Sequence, residues 1–369
     1  MSLDIIKMDK EKIKFDSDTR FAKPFIELTD QVMKDGSVPL EMTDFDYLPT
    51  LRCDLKCKHC RQSEVREDKE WEELTGEMNI DQIRSAWDPI PVEGKIVKLN
   101  GGEPFVKKAI WDVFDYFTSR GAYMVVATNA WKFRDQENID RLRSVGLVEI
   151  TTSFDGLGEH HDSVRGRTGL FDVMTNFVRD MSRDHKVLLE CCIQGDNVKD
   201  LPEMVKLREQ LGAYKIRFQL PVFTTEKEIA SAVEVVGGPI RYEAQTMTTS
   251  KYDFGFDDLW ISYQAAIDTG LPFDMHPKFF EAMPVEAFER RSRKDYNLLC
   301  TYMFRNKIDP NGDVRFCPFI IESFGNIQQE KFEVIWDKPE FRDYRKAVAN
   351  NNLLDSCENC PHTRIYSMK

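Results

Sequence analysis

Phe45-Asp46-Tyr47-Leu48-Pro49-Thr50-Leu51, a candidate β-strand, runs directly into Arg52-Cys53-Asp54-Leu55-Lys56-Cys57-Lys58-His59-Cys60. Three thiols spaced C-x3-C-x2-C therefore leave the end of that strand, and no fourth cysteine follows nearby. Cysteine thiolates are the usual ligands of iron–sulfur clusters. Three thiolates on a four-iron cubane leave one iron open to bind something else, which implies chemistry rather than scaffolding. Zinc with a distant fourth ligand is the alternative use of the same thiols.

Downstream, strands and helices alternate. Strand candidates are Phe45–Leu51, Ile96–Leu99, Tyr123–Ala127, Leu147–Ser153, Lys186–Ile193 and Lys215–Leu220. Helical patterns fall around Ile80–Trp87, Ile110–Ser119, Asn138–Val145, Leu170–Arg183 and Leu201–Leu211. Such alternation predicts right-handed βαβ units and a parallel sheet. Six units over residues 44–222 fall short of a closed eight-stranded barrel. The expected class is α/β, an open (β/α)6 partial TIM barrel, with a doubly wound sheet as the alternative. In barrels of this kind the chemistry sits at the C-terminal ends of the strands. The thiols follow strand one and Gly101-Gly102 follows strand two, so both land on that face. Residues 1–43 read as an N-terminal arm with an amphipathic stretch at Pro24-Phe25-Ile26-Glu27-Leu28. Residues 223–295 read as a linker, with a polar part around Gly237-Gly238-Pro239 covering the barrel mouth and a helical pattern at Asp257–Thr269. Residues 296–369 carry the last four cysteines.

Composition narrows the functional classes. The chain has 369 residues, 41% of them apolar, enough for a sizeable core. With 51 Lys+Arg against 63 Asp+Glu, the net charge is −12, which argues against a nucleic-acid partner. No stretch approaches the ~20 apolar residues of a membrane span, and no basic run suggests an anionic membrane surface. The N-terminus lacks the apolar core of a signal peptide, so the expected compartment is the cytoplasm. Nine cysteines in such a chain read as reduced thiols, either metal ligands or reactive groups.

Three segments together carry a family resemblance. Cys53, Cys57 and Cys60 have the spacing of the radical S-adenosylmethionine (radical SAM) superfamily. Asn100-Gly101-Gly102-Glu103-Pro104 resembles that family's GGEP segment after strand two. Ser153-Phe154-Asp155-Gly156 followed by His161-Asp162-x-x-Arg165-Gly166 resembles the S-x-D-G…H-D-x-x-R-G run of a subgroup with auxiliary clusters. The resemblance implies that Cys53, Cys57 and Cys60 hold a [4Fe-4S] cluster whose open iron chelates the methionine end of S-adenosylmethionine. Glu103 is then the acceptor for its amino group, with close backbone approach at Gly101 and Gly102. Ser153 and Arg165 are placed for its carboxylate. Thr128 and Asn129 are placed for the ribose, and His59 for packing near the adenine. Reductive cleavage would give a 5′-deoxyadenosyl radical that abstracts hydrogen from a small-molecule or peptide substrate at the barrel mouth. An external one-electron reductant of the flavodoxin or ferredoxin type is implied.

A second cysteine set follows. Cys300-x11-Gly312-x4-Cys317 resembles the opening of the SPASM auxiliary-cluster domain, and Cys357-x-x-Cys360 adds two more thiols. The residues between Cys300 and Cys317 predict a β-hairpin turning at Asn311-Gly312. Four cysteines rather than seven imply the shortened twitch form, a small β-hairpin plus helix domain holding one auxiliary [4Fe-4S] cluster. A structural zinc site is the alternative there. Cys191-Cys192 lies on strand five, where alternation turns one thiol inward and one outward. One of them is either a small core residue or a hydrogen-atom donor, which would make the protein a radical epimerase. The expected activity is hydrogen abstraction in oxidation (dehydrogenation) or modification of a small molecule or peptide in natural-product or cofactor biosynthesis. A non-catalytic electron-transfer or zinc-binding protein is the alternative of another class.

Overall fold

The computed structural model describes residues 22–60, 76–221, 253–276, 296–318, 322–350, 357, 360 and 362–368. The expectation that 223–252 cover the barrel mouth lies outside these residues. Among the described elements, α1 (Ala22–Asp35) precedes β1 (Asp44–Thr50), α2 (Ile80–Trp87), β2 (Ile96–Gly101) and α3 (Ile110–Ser119). Next come β3 (Tyr123–Thr128), α4 (Gln136–Ser144), β4 (Leu147–Ser153), α5 (Gly158–Arg165) and α6 (Leu170–Met181). Then follow β5 (Lys186–Cys192), α7 (Leu201–Gln210), β6 (Lys215–Gln219), α8 (Phe256–Asp268) and β7 (Asp274–His276). The remainder is β8 (Tyr296–Cys300), β9 (Arg305–Ile308), β10 (Val314–Arg315), α9 (Phe332–Trp336), α10 (Pro339–Ala349) and β11 (Thr363–Met368).

One open sheet runs in the order β10-β9-β1-β2-β3-β4-β5-β6-β7. Every neighbouring pair is parallel except β9 with β10. The six expected strands are its middle. Two parallel pairings at its edges were not expected. The strand β7 lies in the stretch read as linker and pairs with β6, and β9 comes from the C-terminal region and pairs with β1. Sheet pairing thus crosses the expected boundaries at 222/223 and 295/296. Both added strands are short, three and four residues, which is too little period-2 signal to read from sequence. The N-terminal arm is not separate either. It packs on the C-terminal helices, where Asn350 Nδ2 donates to Met33 O (2.8 Å) and Trp336 Nε1 to Val38 O (2.8 Å).

Local chemistry fixes these elements. The helix α2 begins with a capping box: Asn79 Oδ1 accepts from Asp81 N and Gln82 N, and Gln82 Oε1 accepts from Asn79 N. The helix α4 starts earlier than its apolar pattern suggests because Asp135 caps it, accepting from Asn138 N at 3.0 Å. Leu170, Met174, Phe177, Val178 and Met181 form the buried stripe of α6. Strand alternation sends Phe45, Val97, Val126 and Leu189 into the apolar layer under the helices. The opposite face carries charge: Asp46, Lys98, Glu149, Glu190 and Arg217. The sheet therefore wraps a polar lumen rather than a second oily layer. Among the described residues no helix is long and apolar enough to cross a membrane.

Trp87 is the hub of the apolar layer beneath β1. It is fully buried, with ring centroids 5.3 Å from Phe45, 5.3 Å from Tyr47 and 4.9 Å from Phe117. Trp87→Ala is expected to lower unfolding stability by about 3–5 kcal/mol, the cost of emptying a large aromatic site. Denaturant titration of the purified variant checks this, with Trp87→Phe losing less.

Candidate active site

The three thiols of the first loop lie at the C-terminal end of β1. Cys57 is buried and Cys53 and Cys60 are half-buried. The loop is held by its neighbours. Lys58 N donates to Val164 O (2.9 Å), Cys60 N to Cys57 O (3.1 Å) and Arg167 Nη2 to Asp54 O (2.6 Å). Burial pushes the Cys57 thiol up to about 11; Arg165 opposes that, while Cys60, Asp155 and Cys53 add to it. The three sulfurs and Arg165 thus share one small volume.

The second loop is stitched to the first. Gly102 N donates to Thr50 O (3.1 Å) and Glu103 N to Arg52 O (2.8 Å). A Cβ on Gly101 (φ +129°) would collide with Thr50 O, and one on Gly102 with Arg52 O, so only glycine permits this approach. The Glu103 carboxylate, 1% exposed, accepts from Phe105 N (3.2 Å) and Thr128 Oγ1 (2.9 Å) on Oε1, and from Asn129 N (2.7 Å) on Oε2. Burial raises its pKa to about 7 against the pull of those three donors. A carboxylate has about four acceptor positions. One therefore remains, on Oε2.

Thr128 and Asn129, expected at the ribose, also make contacts within the protein. Thr128 Oγ1 holds Glu103, and Asn129 Nδ2 donates to Asp54 Oδ1 (2.7 Å) and lies 3.8 Å from Cys53 Sγ. They tie the two loops together. Ala130 follows in the left-handed region, φ 61°, the sole non-glycine residue with positive φ among the described residues. This costs on the order of 1 kcal/mol and is held by Ala130 N donating to Thr128 Oγ1 (3.0 Å). Composition gives no sign of it, because alanine is not a turn residue.

After β4, Asp155 gathers the remaining groups. It is 1% exposed. Its Oδ2 accepts from Arg165 Nη1 (3.0 Å) and faces His59 Nε2 (3.6 Å), and its Oδ1 accepts from Cys192 N (2.9 Å). Burial alone would raise the carboxyl; His59, Arg165 and the Cys192 N–H together hold it below the usual range. His59 is therefore engaged with Asp155, and with Gln194 Nε2 at 3.1 Å from its Nδ1. Ser153 lies half-buried at the end of β4. The H-D-x-x-R-G run forms α5, ended by Gly166 in the left-handed region. Arg165 is buried with its Nε lacking a hydrogen-bond partner.

The unclaimed valences are thus one acceptor position on Glu103, the Nε of Arg165 and the half-buried Ser153 hydroxyl. They complement an amino group and a carboxylate, the two ends of an amino acid, beside three thiols.

The last four cysteines also converge. The strands β8 and β11 pair antiparallel with Thr363 opposite Cys300, and β9/β10 form the expected hairpin through Gly312 (φ +90°), whose N donates to Asp309 O (2.9 Å). Cys360 N donates to Cys357 O at 3.2 Å. Burial raises the Cys360 thiol, and Cys357, Cys300 and Cys317 raise it further. Among the described residues no three His, Cys, Asp or Glu side chains close to the spacing of a single metal ion.

Strand alternation separates Cys191 from Cys192. Cys191, 1% exposed, belongs to the apolar layer under the helices, with Asn197 Nδ2 at 3.7 Å. Cys192, half-buried, shares the lumen face with Glu190.

A model of the radical SAM superfamily matches residues 47–208, and one of the iron–sulfur cluster-binding SPASM domain matches residues 300–361. The chain belongs to the radical SAM superfamily. It therefore pairs S-adenosylmethionine with a [4Fe-4S] cluster and carries auxiliary iron–sulfur binding in its SPASM domain. It is 23% identical over 325 residues to the AdoMet-dependent heme synthase of Methanosarcina barkeri, covering 86% of this chain and 87% of that one. Against the Mycofactocin maturase MftC of Mycobacterium tuberculosis the identity is 25% over 322 residues, covering 85% and 74%. The Fe-coproporphyrin III synthase of Methanosarcina barkeri is 30% identical over 172 residues, covering 46% and 41%. Among solved structures, Streptococcus suis SuiB bound to S-adenosylmethionine superposes with TM-score 0.57 at 16% identity, covering 95% and 79%. Native anSMEcpe with bound AdoMet gives 0.57 at 14%, covering 86% of each. These two likenesses establish the fold.

His161 offers a test of how the radical SAM site is held. It is fully buried in α5, where its Nδ1 accepts from Asp155 N (3.2 Å) and its Nε2 lies 3.2 Å from Met174 Sδ. Burial lowers its pKa from 6.5 to about 4. The unfolded chain then binds the proton first, so stability falls as pH drops through the window from about 6.5 to about 4. The loss at the lower end is about 3 kcal/mol. Denaturant titrations at pH 7 and 4.5 are expected to show a slope in this direction that His161→Gln flattens.

Proposed function

We propose that Cys53, Cys57 and Cys60 hold the radical-generating cluster, that Glu103, Ser153 and Arg165 hold the methionine end of S-adenosylmethionine, and that the substrate is oxidised or otherwise modified in the barrel lumen. The cluster and S-adenosylmethionine together supply an electron and the 5′-deoxyadenosyl radical that takes a hydrogen atom from the substrate. The protein's part is placement. Glu103 orients the amino group through its remaining acceptor position. Arg165, anchored on Asp155, offers its free edge to the carboxylate. The β-strand ends and the two stitched loops exclude water from the reacting volume. The observation that carries this reading is the set of unclaimed valences on Glu103, Arg165 and Ser153 beside the three thiols. Cys300, Cys317, Cys357 and Cys360 would hold one auxiliary [4Fe-4S] cluster, since four thiolates satisfy four irons. Such a centre suits electron transfer, with an external one-electron reductant. The similarity to a heme synthase and a mycofactocin maturase supports a small-molecule or peptide substrate in cofactor or natural-product maturation.

Anaerobic reconstitution followed by iron analysis is expected to give about eight irons per chain. Dithionite and S-adenosylmethionine should then yield 5′-deoxyadenosine. Zinc in place of iron, or no 5′-deoxyadenosine, would instead support a non-catalytic protein.

Glu103 predicts a pH dependence. With its pKa near 7, a proton competes with the amino group for the carboxylate. S-adenosylmethionine affinity should fall roughly tenfold from pH 8 to pH 6, because the ionised fraction falls by that factor. Glu103→Gln should bind more weakly and show a smaller pH dependence, measured by equilibrium binding under argon.

A second reading is favoured by the position of Cys192 on the lumen face. Burial raises its thiol pKa far above the model-compound value, so it is a neutral S–H at pH 7 that can return a hydrogen atom to a substrate radical. Under this reading Cys192→Ala changes product stereochemistry and Cys191→Ala does not. An unchanged product from Cys192→Ala removes epimerisation.

A further inference from the structure

Glu77 belongs to none of the sequence motifs, yet it is held firmly beside them. Met78 after it is buried, and Asn79 opens the capping box of α2. The Glu77 side chain, 15% exposed, gathers three residues. Arg52 donates twice, Nε to Oε1 (3.0 Å) and Nη2 to Oε2 (3.1 Å), and the Thr50 hydroxyl donates to Oε1. The buried Lys107 brings Nζ to 3.4 Å from Oε2 and donates to Met78 O at 3.0 Å. These contacts close a ring. Thr50 and Arg52 are the residues whose carbonyls accept from Gly102 N and Glu103 N, and Arg52 immediately precedes Cys53. From Glu103 the chain makes one tight turn, in which Val106 N donates to Glu103 O and Lys107 N to Pro104 O. Lys107 then returns to Glu77. Alone, the Arg52–Glu77 pair would count for little, because Arg52 is 56% exposed. The buried Lys107 and the closed circuit give it weight.

We propose that Glu77 is a positioning residue for S-adenosylmethionine, which sets the distance between the thiol loop and the Glu103 carboxylate. It acts through Glu103, so the inference rests on the proposed role of Glu103 toward the amino group. With the ring closed, the remaining acceptor position on Glu103 Oε2 stays at a fixed distance from the three thiols. With the ring open, Lys107 and the turn it ends are released from Arg52. The amino-group receptor and the thiols then no longer match one ligand, and a shift of about 1 Å is enough to matter. Glu77→Gln opens the ring because each carboxylate oxygen already accepts from a donor. The amide group that replaces one of them must turn an N–H toward Arg52, Thr50 or Lys107.

The test is a double-mutant cycle on the reconstituted holoenzyme. S-adenosylmethionine affinity is read by equilibrium binding under argon and by the change it causes in the electron paramagnetic resonance spectrum of the reduced protein. Glu77→Gln should keep its iron and bind S-adenosylmethionine about tenfold more weakly. In a Glu103→Gln background the same substitution should cost less than about threefold, because the group it positions is already gone. Lys107→Met keeps the buried stem, removes the ammonium and opens the ring from the other side. It should show a similar loss and add little to Glu77→Gln, and it carries the same test if Glu77→Gln does not fold. A merely structural Glu77 would lower the melting temperature and leave the affinity of the folded protein unchanged, which overturns the proposal. An equal loss in both backgrounds, or loss of iron from Glu77→Gln, overturns it too. If Glu103→Gln alone leaves the affinity unchanged, the role of Glu103 falls and this inference with it. If Glu103→Gln weakens binding but Glu77→Gln and Lys107→Met do not, this inference alone falls.

Discussion

The buried carboxylate of Asp155 is the interaction on which the site depends. A charge that is 1% exposed survives only when it is paired and hydrogen-bonded. Arg165, His59 and the Cys192 N–H supply those partners, and Asn197 Nδ2 donates to the adjoining carbonyl at 3.1 Å. These partners come from the thiol loop, from α5, from β5 and from the turn after it. The side chain therefore fixes the positions of three segments at the strand ends, and its backbone carbonyl holds a fourth. It also aims Arg165: with Nη1 committed to Asp155, the buried Nε is left for a ligand.

Glu103 does the same for the other half of the site. Its carboxylate binds the end of β3 through Thr128 and Asn129, and Asn129 in turn holds Asp54 beside Cys53. Three loops from three strands are joined through short polar side chains rather than apolar packing. The apolar layer lies on the other face, between strands and helices, where Trp87 and its aromatic neighbours sit. This division lets the lumen stay polar. The helices stabilise the sheet from outside, and charged groups can face a substrate within.

Much of this was legible in the chain. The six central strands follow from period-2 runs alternating with amphipathic helices, and the three thiols fall at a strand end because strand one stops there. Gly101 and Gly102 could be read because the collision a Cβ would cause is a property of glycine motifs at close approach. The short strand β7 and the pairing of β9 with β1 could not be read, since three or four residues carry too little pattern and their place is set by an open sheet edge. The resemblance led us to expect ribose contacts from Thr128 and Asn129 and an adenine contact from His59. Each also answers a carboxylate, Glu103, Asp54 or Asp155, and such pairing is decided by tertiary approach. The strained Ala130 and the separation of Cys191 from Cys192 likewise needed the turn and the register to be seen.

The central claim is that Asp155 orients Arg165 toward a ligand bound next to the Cys53, Cys57 and Cys60 cluster. The most direct measurement is the electron paramagnetic resonance spectrum of the reduced protein with and without S-adenosylmethionine, in the wild type and in Asp155→Asn. The wild type should show a marked change in g-values when S-adenosylmethionine is added. Asp155→Asn should keep its iron content but show that change only at much higher concentration. An identical response at the same concentration in both proteins would contradict the account.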